Sequence, residues 1–267
     1  MTPWHYRWLC QFAYIDLPQD IQPREQTLRD ISKELLERSA KGSLKCGRLS
    51  AADEEMLRLM ITDGTLGELR LVDYINLNVS TGFAAYALRA EAGGIHCIFR
   101  GSEGYGCGSG SIIDWIDNFL SPFYGSVQYK DIERFIKRFD EAAAVFSGHS
   151  KGAHNALYAL AKSEQVKSRA VVFNGQGFAS GQLSRAEKER LGQRGINYVT
   201  RGDIVGVLLR HPERRVFVRR QEGEKAHSLS GFSFDAGGEP IPARRPLWTW
   251  AAERISSRTV KLASVQK

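Results

Sequence analysis

The most constraining stretch of the chain is Ala144-Val145-Phe146-Ser147, which runs directly into Gly148-His149-Ser150-Lys151-Gly152 and then into a mostly apolar segment from Ala153 to Lys162. An apolar run of strand length, then Gly-x-Ser-x-Gly, then a helical pattern is the signature of a nucleophile elbow. The chain reverses so sharply there that the serine is strained, and the flanking glycines are needed because a Cβ in the crowded turn would clash. Such a turn exposes Ser150 Oγ at the C-terminal edge of a sheet. It also sets Ser150 at a helix N-terminus, where free backbone N–H groups and the helix dipole favour developing negative charge. The strand before and the helix after make the match specific, against the plainer reading in which Ser150 merely caps a helix.

The neighbouring pattern supplies the rest of a sheet. Helical segments near 129–141, 151–163, 184–192 and 246–258 alternate with short apolar runs at 143–147, 169–174, 196–200 and 215–219. This alternation predicts an α/β fold, a mostly parallel sheet with helices on both faces. Upstream, residues 83–88 and 95–99 are separated by Glu91-Ala92-Gly93-Gly94 and read as a hairpin. Residues 1–60 read as amphipathic helices with Leu28, Ile31, Leu35 and Leu36 at helical spacing, forming an N-terminal helical layer. At 267 residues, 42% apolar and 25% charged, the chain has an ordinary globular composition. It shows no internal repeat, low-complexity tract or linker, so one domain over 1–267 is expected.

No stretch approaches the ~18 consecutive apolar residues that a membrane-spanning helix needs, and residues 1–18 lack the pattern of a cleavable signal. Synthesis in the cytosol is the expectation, and export as an effector without a cleavable signal fits equally well. Cys10, Cys46, Cys97 and Cys107 are scattered, with no Cys-x-x-Cys pair and no histidine at zinc spacing. No disulfide framework, metal or other cofactor is expected; Cys10 and Cys97 lie in apolar runs and read as buried small hydrophobes.

A nucleophilic serine needs a base and an orienting acid, which in this class of fold follow in the order Ser, then Asp or Glu, then His. Downstream histidines are His154, His211 and His227. His154 lies one turn along the helix that Ser150 opens and cannot reach back over it. His227, in a polar loop beyond the strand at 215–219, is favoured over His211, which ends an apparent helix at 204–210 and suits a helix C-terminus. The only aspartate between Ser150 and His227 is Asp203, just past a strand end.

Several ordered motifs now coincide: Phe99-Arg100-Gly101-Ser102, Ile112-Ile113-Asp114-Trp115-Ile116-Asp117-Asn118-Phe119, the elbow itself, Phe173-Asn174-Gly175-Gln176-Gly177-Phe178, and Asp203-Ile204-Val205-Gly206-Val207-Leu208-Leu209. Together they resemble the Mbeg1-like family of α/β-hydrolases, relatives of the class 3 lipases. Leu9-Cys10-Gln11-Phe12-Ala13-Tyr14-Ile15-Asp16 is similar to that family's opening, so the likeness covers most of 9–235. The resemblance implies a serine esterase or lipase fold with Ser150, Asp203 and His227 at the triad positions. It also implies an oxyanion hole made by the backbone N–H groups of Lys151 and Ser102, with the Ser102 hydroxyl as an additional donor. The Lys151 side chain is expected in solvent or an ion pair, and His149 and His154 as packing or helix-surface residues.

The chain departs from the family pattern in three places. Ala153 stands where a second glycine is usual, Gln176 replaces a proline, and 101–111 form an unusually glycine-rich link that suggests a lid beside the oxyanion hole. A nucleotide-binding loop fails for that link, since neither Gly-x-Gly-x-x-Gly nor Gly-Lys-Ser/Thr is present.

Charge is uneven. Residues 185–267 hold 17 Lys and Arg against 9 Asp and Glu, whereas 1–184 hold 20 against 21. No nucleic-acid motif accompanies the basic third and no interleaved aromatics suit base stacking, so nucleic acid is not expected as a partner. A solvated basic face is the plain reading, and peripheral contact with an anionic membrane the functional one. The sequence therefore points to an ester hydrolase acting on acyl lipids, of phospholipase or lysophospholipase type. The rival from another class is a catalytically silent hydrolase-fold module that binds a lipid or a protein partner.

Overall fold

The computed structural model describes residues 1–21, 23, 26–44, 49–102 and 126–265, with side chains described as far as 257. Cys46, Cys107, residues 103–111 of the glycine-rich link and the 112–119 motif lie outside the described residues. A seven-stranded sheet organises the molecule: β1 (Arg70–Leu77), β2 (Phe83–Arg89), β3 (Ile95–Phe99), β4 (Ala144–His149), β5 (Arg169–Phe173), β6 (Gly195–Thr200) and β7 (Arg214–Val218), side by side in chain order. β1, β2 and β3 are antiparallel to one another, and β3 through β7 run parallel. The expected hairpin joins β2 to β3, with Gly93 at φ 87°, a conformation glycine adopts without strain.

The order of the strands decides where the helices go. Parallel strands added one after another with right-handed crossovers send each connecting helix to the same face. Accordingly α4 (Tyr129–Ile136), α5 (Lys151–Lys162) and α6 (Arg185–Arg194) pack with Phe83, Ala85, Cys97, Phe99, Phe146 and Val172 on one face. The opposite face, bearing Tyr86, Leu88, Ile98, Val171, Phe173 and Tyr198, would be left bare. The N-terminal layer covers it: α1 (Pro3–Phe12), α2 (Leu28–Ala40) and α3 (Ala51–Thr62) bury Leu9, Phe12, Leu28, Ile31, Leu35, Met56 and Met60 there. Local chemistry starts these helices. Thr27 caps α2 by accepting the Asp30 N–H (3.1 Å), and Ser50 with Asp53 forms a capping box on α3. A last helix, α7 (Trp248–Val265), follows β7.

The structure departs from the sequence reading at three elements. β1 was not foreseen: it is a half-exposed edge strand without a clear period-two pattern. The predicted helix 129–141 ends at Ile136 and continues only as a short 3₁₀ turn, Lys137–Phe139. The apparent helix at 204–210 is a single 3₁₀ turn, Val205–Val207, because the Asp203 carboxylate takes the Gly206 N–H (2.5 Å) and offers the backbone a turn in place of a helix. Leu209, at φ 68°, then reverses the chain so that Arg210 pairs with Phe178.

Candidate active site

β4 delivers the chain into a turn with almost no free volume. A Cβ on Gly148 would lie 2.2 Å from the Gly152 carbonyl oxygen, and one on Gly152 would lie 2.2 Å from the Phe99 carbonyl oxygen and 2.8 Å from the Gly101 nitrogen. Ser150 between them has φ 57° and ψ −122°, outside the regions that a side chain normally allows, and the Ser150 N–H is held by the Phe173 carbonyl (3.0 Å). Glycine on both sides is thus a packing requirement. The same contacts bring the 99–102 segment alongside the first turn of α5, and Gly101 lies so close to the elbow that a Cβ there would meet the His149 carbonyl oxygen at 2.6 Å.

Three side chains from three segments converge at the C-terminal ends of the parallel strands. Ser150 Oγ lies 2.8 Å from His227 Nε2, and His227 Nδ1 lies 2.5 Å from Asp203 Oδ2. Asp203, fully buried just beyond β6, has its other oxygen engaged by the Gly206 N–H, so the carboxylate is held at both ends. His227 is 40% exposed, which leaves it open on the solvent side. It sits in the 221–231 excursion beyond β7. The base of that excursion is closed by the Gln221 N–H to the Gly231 carbonyl (2.9 Å), and α1 pins it through Arg7 Nε to the Leu229 carbonyl (2.9 Å).

The structure separates the two histidines that sequence order left open. His211 is buried and spent: its Nδ1 meets Glu213 Oε1 at 2.7 Å and its Nε2 the Leu208 carbonyl at 2.9 Å. Glu213 is held below the usual carboxylate range against its own burial, chiefly by the His211 charge and hydrogen bond. His154 is buried, with its ring tilted against Phe178 at 4.5 Å and bonded through Nε2 to the Tyr129 hydroxyl (2.8 Å). Lys151 corrects the sequence reading. Its side chain was expected in solvent or in an ion pair; the solvent alternative fails, since the residue is 4% exposed, because α5 begins beneath the strand ends and is buried along nearly its whole length.

His149 also does more than pack. Its Nε2 lies 2.8 Å from the His227 carbonyl, which can only accept, so Nε2 carries the proton and Nδ1 accepts from the Tyr14 hydroxyl (3.3 Å). Burial, with a further contribution from His227, pushes the His149 pKa down from 6.5 to about 3, so the ring is neutral. On the other side of the same loop, the Ala226 carbonyl accepts from Asn174 Nδ2 (3.1 Å) and from the Thr200 hydroxyl. Asn174 in turn accepts the Thr200 N–H (2.9 Å) and occupies φ 50°, a conformation asparagine tolerates better than most residues. The peptides on both sides of His227 are therefore gripped by buried side chains at the ends of β4, β5 and β6. The expectation that Cys10 is a buried small hydrophobe holds: its thiol contacts Ser147 Oγ (3.3 Å) and is pushed up to about 12 by burial.

Residues 62–236 match the model of the Mbeg1-like family. The chain belongs to the Mbeg1-like family. No curated protein matches it significantly in sequence. Among solved structures, it is similar to the Lip2 lipase from Yarrowia lipolytica at 11% identity and a TM-score of 0.47, covering 85% of this chain and 80% of that one. The mono- and diacylglycerol lipase from Aspergillus oryzae aligns at 16% identity and a TM-score of 0.46 over 85% and 94% of the two chains. The Rhizomucor miehei lipase in complex with its propeptide aligns at 15% and 0.39 over 84% and 86%. The Mbeg1-like chain has an α/β-hydrolase fold whose strand ends gather the elbow serine, a buried aspartate and a half-exposed histidine.

Proposed function

We propose that this Mbeg1-like protein is a serine hydrolase of carboxylic esters that acts on acyl lipids. The observation that supports it is the continuous path from Ser150 Oγ through the His227 ring to Asp203, at 2.8 and 2.5 Å, on a strained elbow that serves no evident structural purpose of its own. In this reading His227 Nε2 takes the Oγ proton as the oxygen attacks the ester carbonyl. The carbonyl oxygen gains negative charge facing the backbone N–H groups of Lys151 and Ser102, at the positive end of α5. Collapse of the tetrahedral intermediate breaks the ester C–O bond, His227 returns the proton to the leaving alcohol, and an acyl group remains on Ser150. Water, deprotonated by the same imidazole, then releases the fatty acid. Asp203 accepts from Nδ1–H throughout, fixing the tautomer and stabilising the imidazolium.

The basic balance of residues 185–267 supports a substrate with an anionic head group, a phospholipid or lysophospholipid. The test is covalent labelling with a fluorophosphonate probe, wild type against Ser150→Ala, followed by turnover of short esters and phospholipids. Labelling and ester turnover lost together in Ser150→Ala are expected. A folded wild type that neither labels nor turns over any ester would replace this reading with that of a silent lipid- or protein-binding module.

A further inference from the structure

The described residues carry nine exposed large hydrophobic side chains, and five of them cluster here: Ile204 in the triad-acid loop, Leu247 just before α7, and Trp248, Trp250 and Ile255 in α7. α7 has two unlike faces. Inward, Thr249 is fully buried, Ala252 packs against Val199, Val207 and Phe217, and the Ser256 hydroxyl accepts the Leu209 N–H (2.9 Å). Glu253 pairs with Arg215 (2.6 Å) and Arg245 (2.8 Å), tying the helix to the edge strand β7 and the segment after it. The helix is thus clamped onto the loop that follows Asp203. Outward, Leu247 just before the helix, then Trp250 with Ala251, then Arg254 with Ile255 recur at helical spacing of three to four. Leu247 is 88% exposed, Trp250 63% and Ile255 65%. The Trp250 ring is held out by Arg245, whose guanidinium lies 4.1 Å from the ring centroid.

We infer that this outer face of α7, with the arginines beside it, seats the protein on a lipid surface bearing anionic headgroups. Charge complementarity selects that partner. Four arginines are exposed, Arg244 just before α7, Arg254 on it, Arg210 next to the Leu209 that bonds Ser256, and Arg201 two residues before Asp203, while Asp203 and Glu213 are buried and Glu253 is already shared between two arginines. Of the exposed acids of the same third, Glu189 is paired with Arg185 on α6 (2.8 Å), Glu222 stands on the 221–231 excursion, and Asp235 and Glu239 lie where the Gly238 carbonyl meets the Trp4 N–H of α1, on the N-terminal-layer side. Indole and branched aliphatic side chains interspersed with arginine suit the headgroup boundary, where apolar atoms enter the acyl region and guanidinium groups stay with phosphate. Each cation near such a surface contributes roughly 1 kcal/mol of attraction, falling with salt. Ile204, 64% exposed, is the residue after Asp203, so a membrane that takes up α7 also lies at the rim of the candidate site.

This inference deepens the hydrolase reading, in that docking would bring the site to its acyl lipid, but vesicle binding needs no turnover and is measured apart from it. The wild-type protein is sedimented with vesicles of ether-linked phosphatidylcholine, which it cannot hydrolyse, with and without ether-linked phosphatidylglycerol. Trp250→Ala with Ile255→Ala, and Arg201→Gln with Arg254→Gln, are compared with it. The expected result is binding to the anionic vesicles that weakens with salt and falls roughly tenfold or more in each double variant, about 1.4 kcal/mol, while turnover of a short soluble ester stays at the wild-type rate. No binding to anionic vesicles, or binding that the double variants leave intact, overturns the inference. So does a dimer in light scattering that Trp250→Ala with Ile255→Ala abolishes, since a second copy would then be the occupant. Vesicle binding without fluorophosphonate labelling would keep the docking face and remove the hydrolase reading; labelling without vesicle binding would do the reverse.

Discussion

His149 allows a quantitative test of the polar support beneath the site. In the folded protein it is neutral, its pKa pushed down to about 3 by burial, while in the unfolded chain it titrates near 6.5. Between these values the unfolded state binds more protons than the folded one, so this residue makes stability fall as pH drops below 6.5, a loss that continues until about pH 3. From pH 7 to pH 5 the two pKa values imply a loss of about 2 kcal/mol from this one group, a sizeable share of the ~5–15 kcal/mol that holds a typical domain together. The perturbation is His149→Gln, which keeps an N–H donor for the His227 carbonyl but cannot titrate. Urea unfolding of both proteins across that pH range supplies the comparison. Other depressed groups, such as His96 at about 4, contribute equally to both and cancel in the difference. The wild-type curve should fall more steeply by about 2 kcal/mol; parallel curves would refute the assignment of a buried neutral imidazole. The neutrality also bears on the proposed reaction: the His149 ring centroid lies 4.9 Å from that of His227, and a charge there would oppose the imidazolium that the proposal assigns to His227.

Three further outcomes follow from the geometry. Asp203→Asn should fold normally but lower ester turnover by about 10⁴, since an amide facing Nδ1 favours the wrong tautomer; turnover within tenfold of wild type would show that Asp203 does not orient His227. Asn174→Ala removes the donor to the Ala226 carbonyl and leaves the Thr200 N–H buried without its acceptor; at roughly 1–3 kcal/mol this should lower kcat about ten- to a hundredfold with KM little changed, and a change confined to KM would assign Asn174 to substrate binding instead. Gly152→Ala should give no soluble folded protein, its Cβ meeting the Phe99 carbonyl oxygen at 2.2 Å, whereas Gly94→Ala, with nothing within 4 Å, should express and melt like wild type.

What could be read from the sequence was what lies in one continuous segment. The elbow is such a case, because strand, strained serine, two glycines and helix all fall between 144 and 162 and each is required by its immediate neighbours. The order of strands and helices was legible for the same reason, and the N-terminal layer could be read because Leu28, Ile31, Leu35 and Leu36 recur at helical spacing; which sheet face it covers follows only from the strand order. β1 escaped notice because a half-exposed edge strand has no strong periodicity to display. The burial of Lys151 was hidden because helix burial depends on how deeply α5 starts below the strand ends. His211 carried a usable signal: Glu213 two residues away gives it a local carboxylate, and a histidine satisfied that way is unavailable as a base. The support around His227 could not be read at all. Tyr14, His149, Asn174 and Thr200 come from four separate segments and meet only because β4, β5 and β6 lie side by side. Each of them holds backbone or a second side chain, and a carbonyl as recipient leaves no residue type in the sequence to betray the contact. The candidate reactive groups can be named from chemistry and chain order, whereas the residues that fix their angles follow from the sheet alone, and variants at Asn174 and His149 probe what the fold adds to the motif.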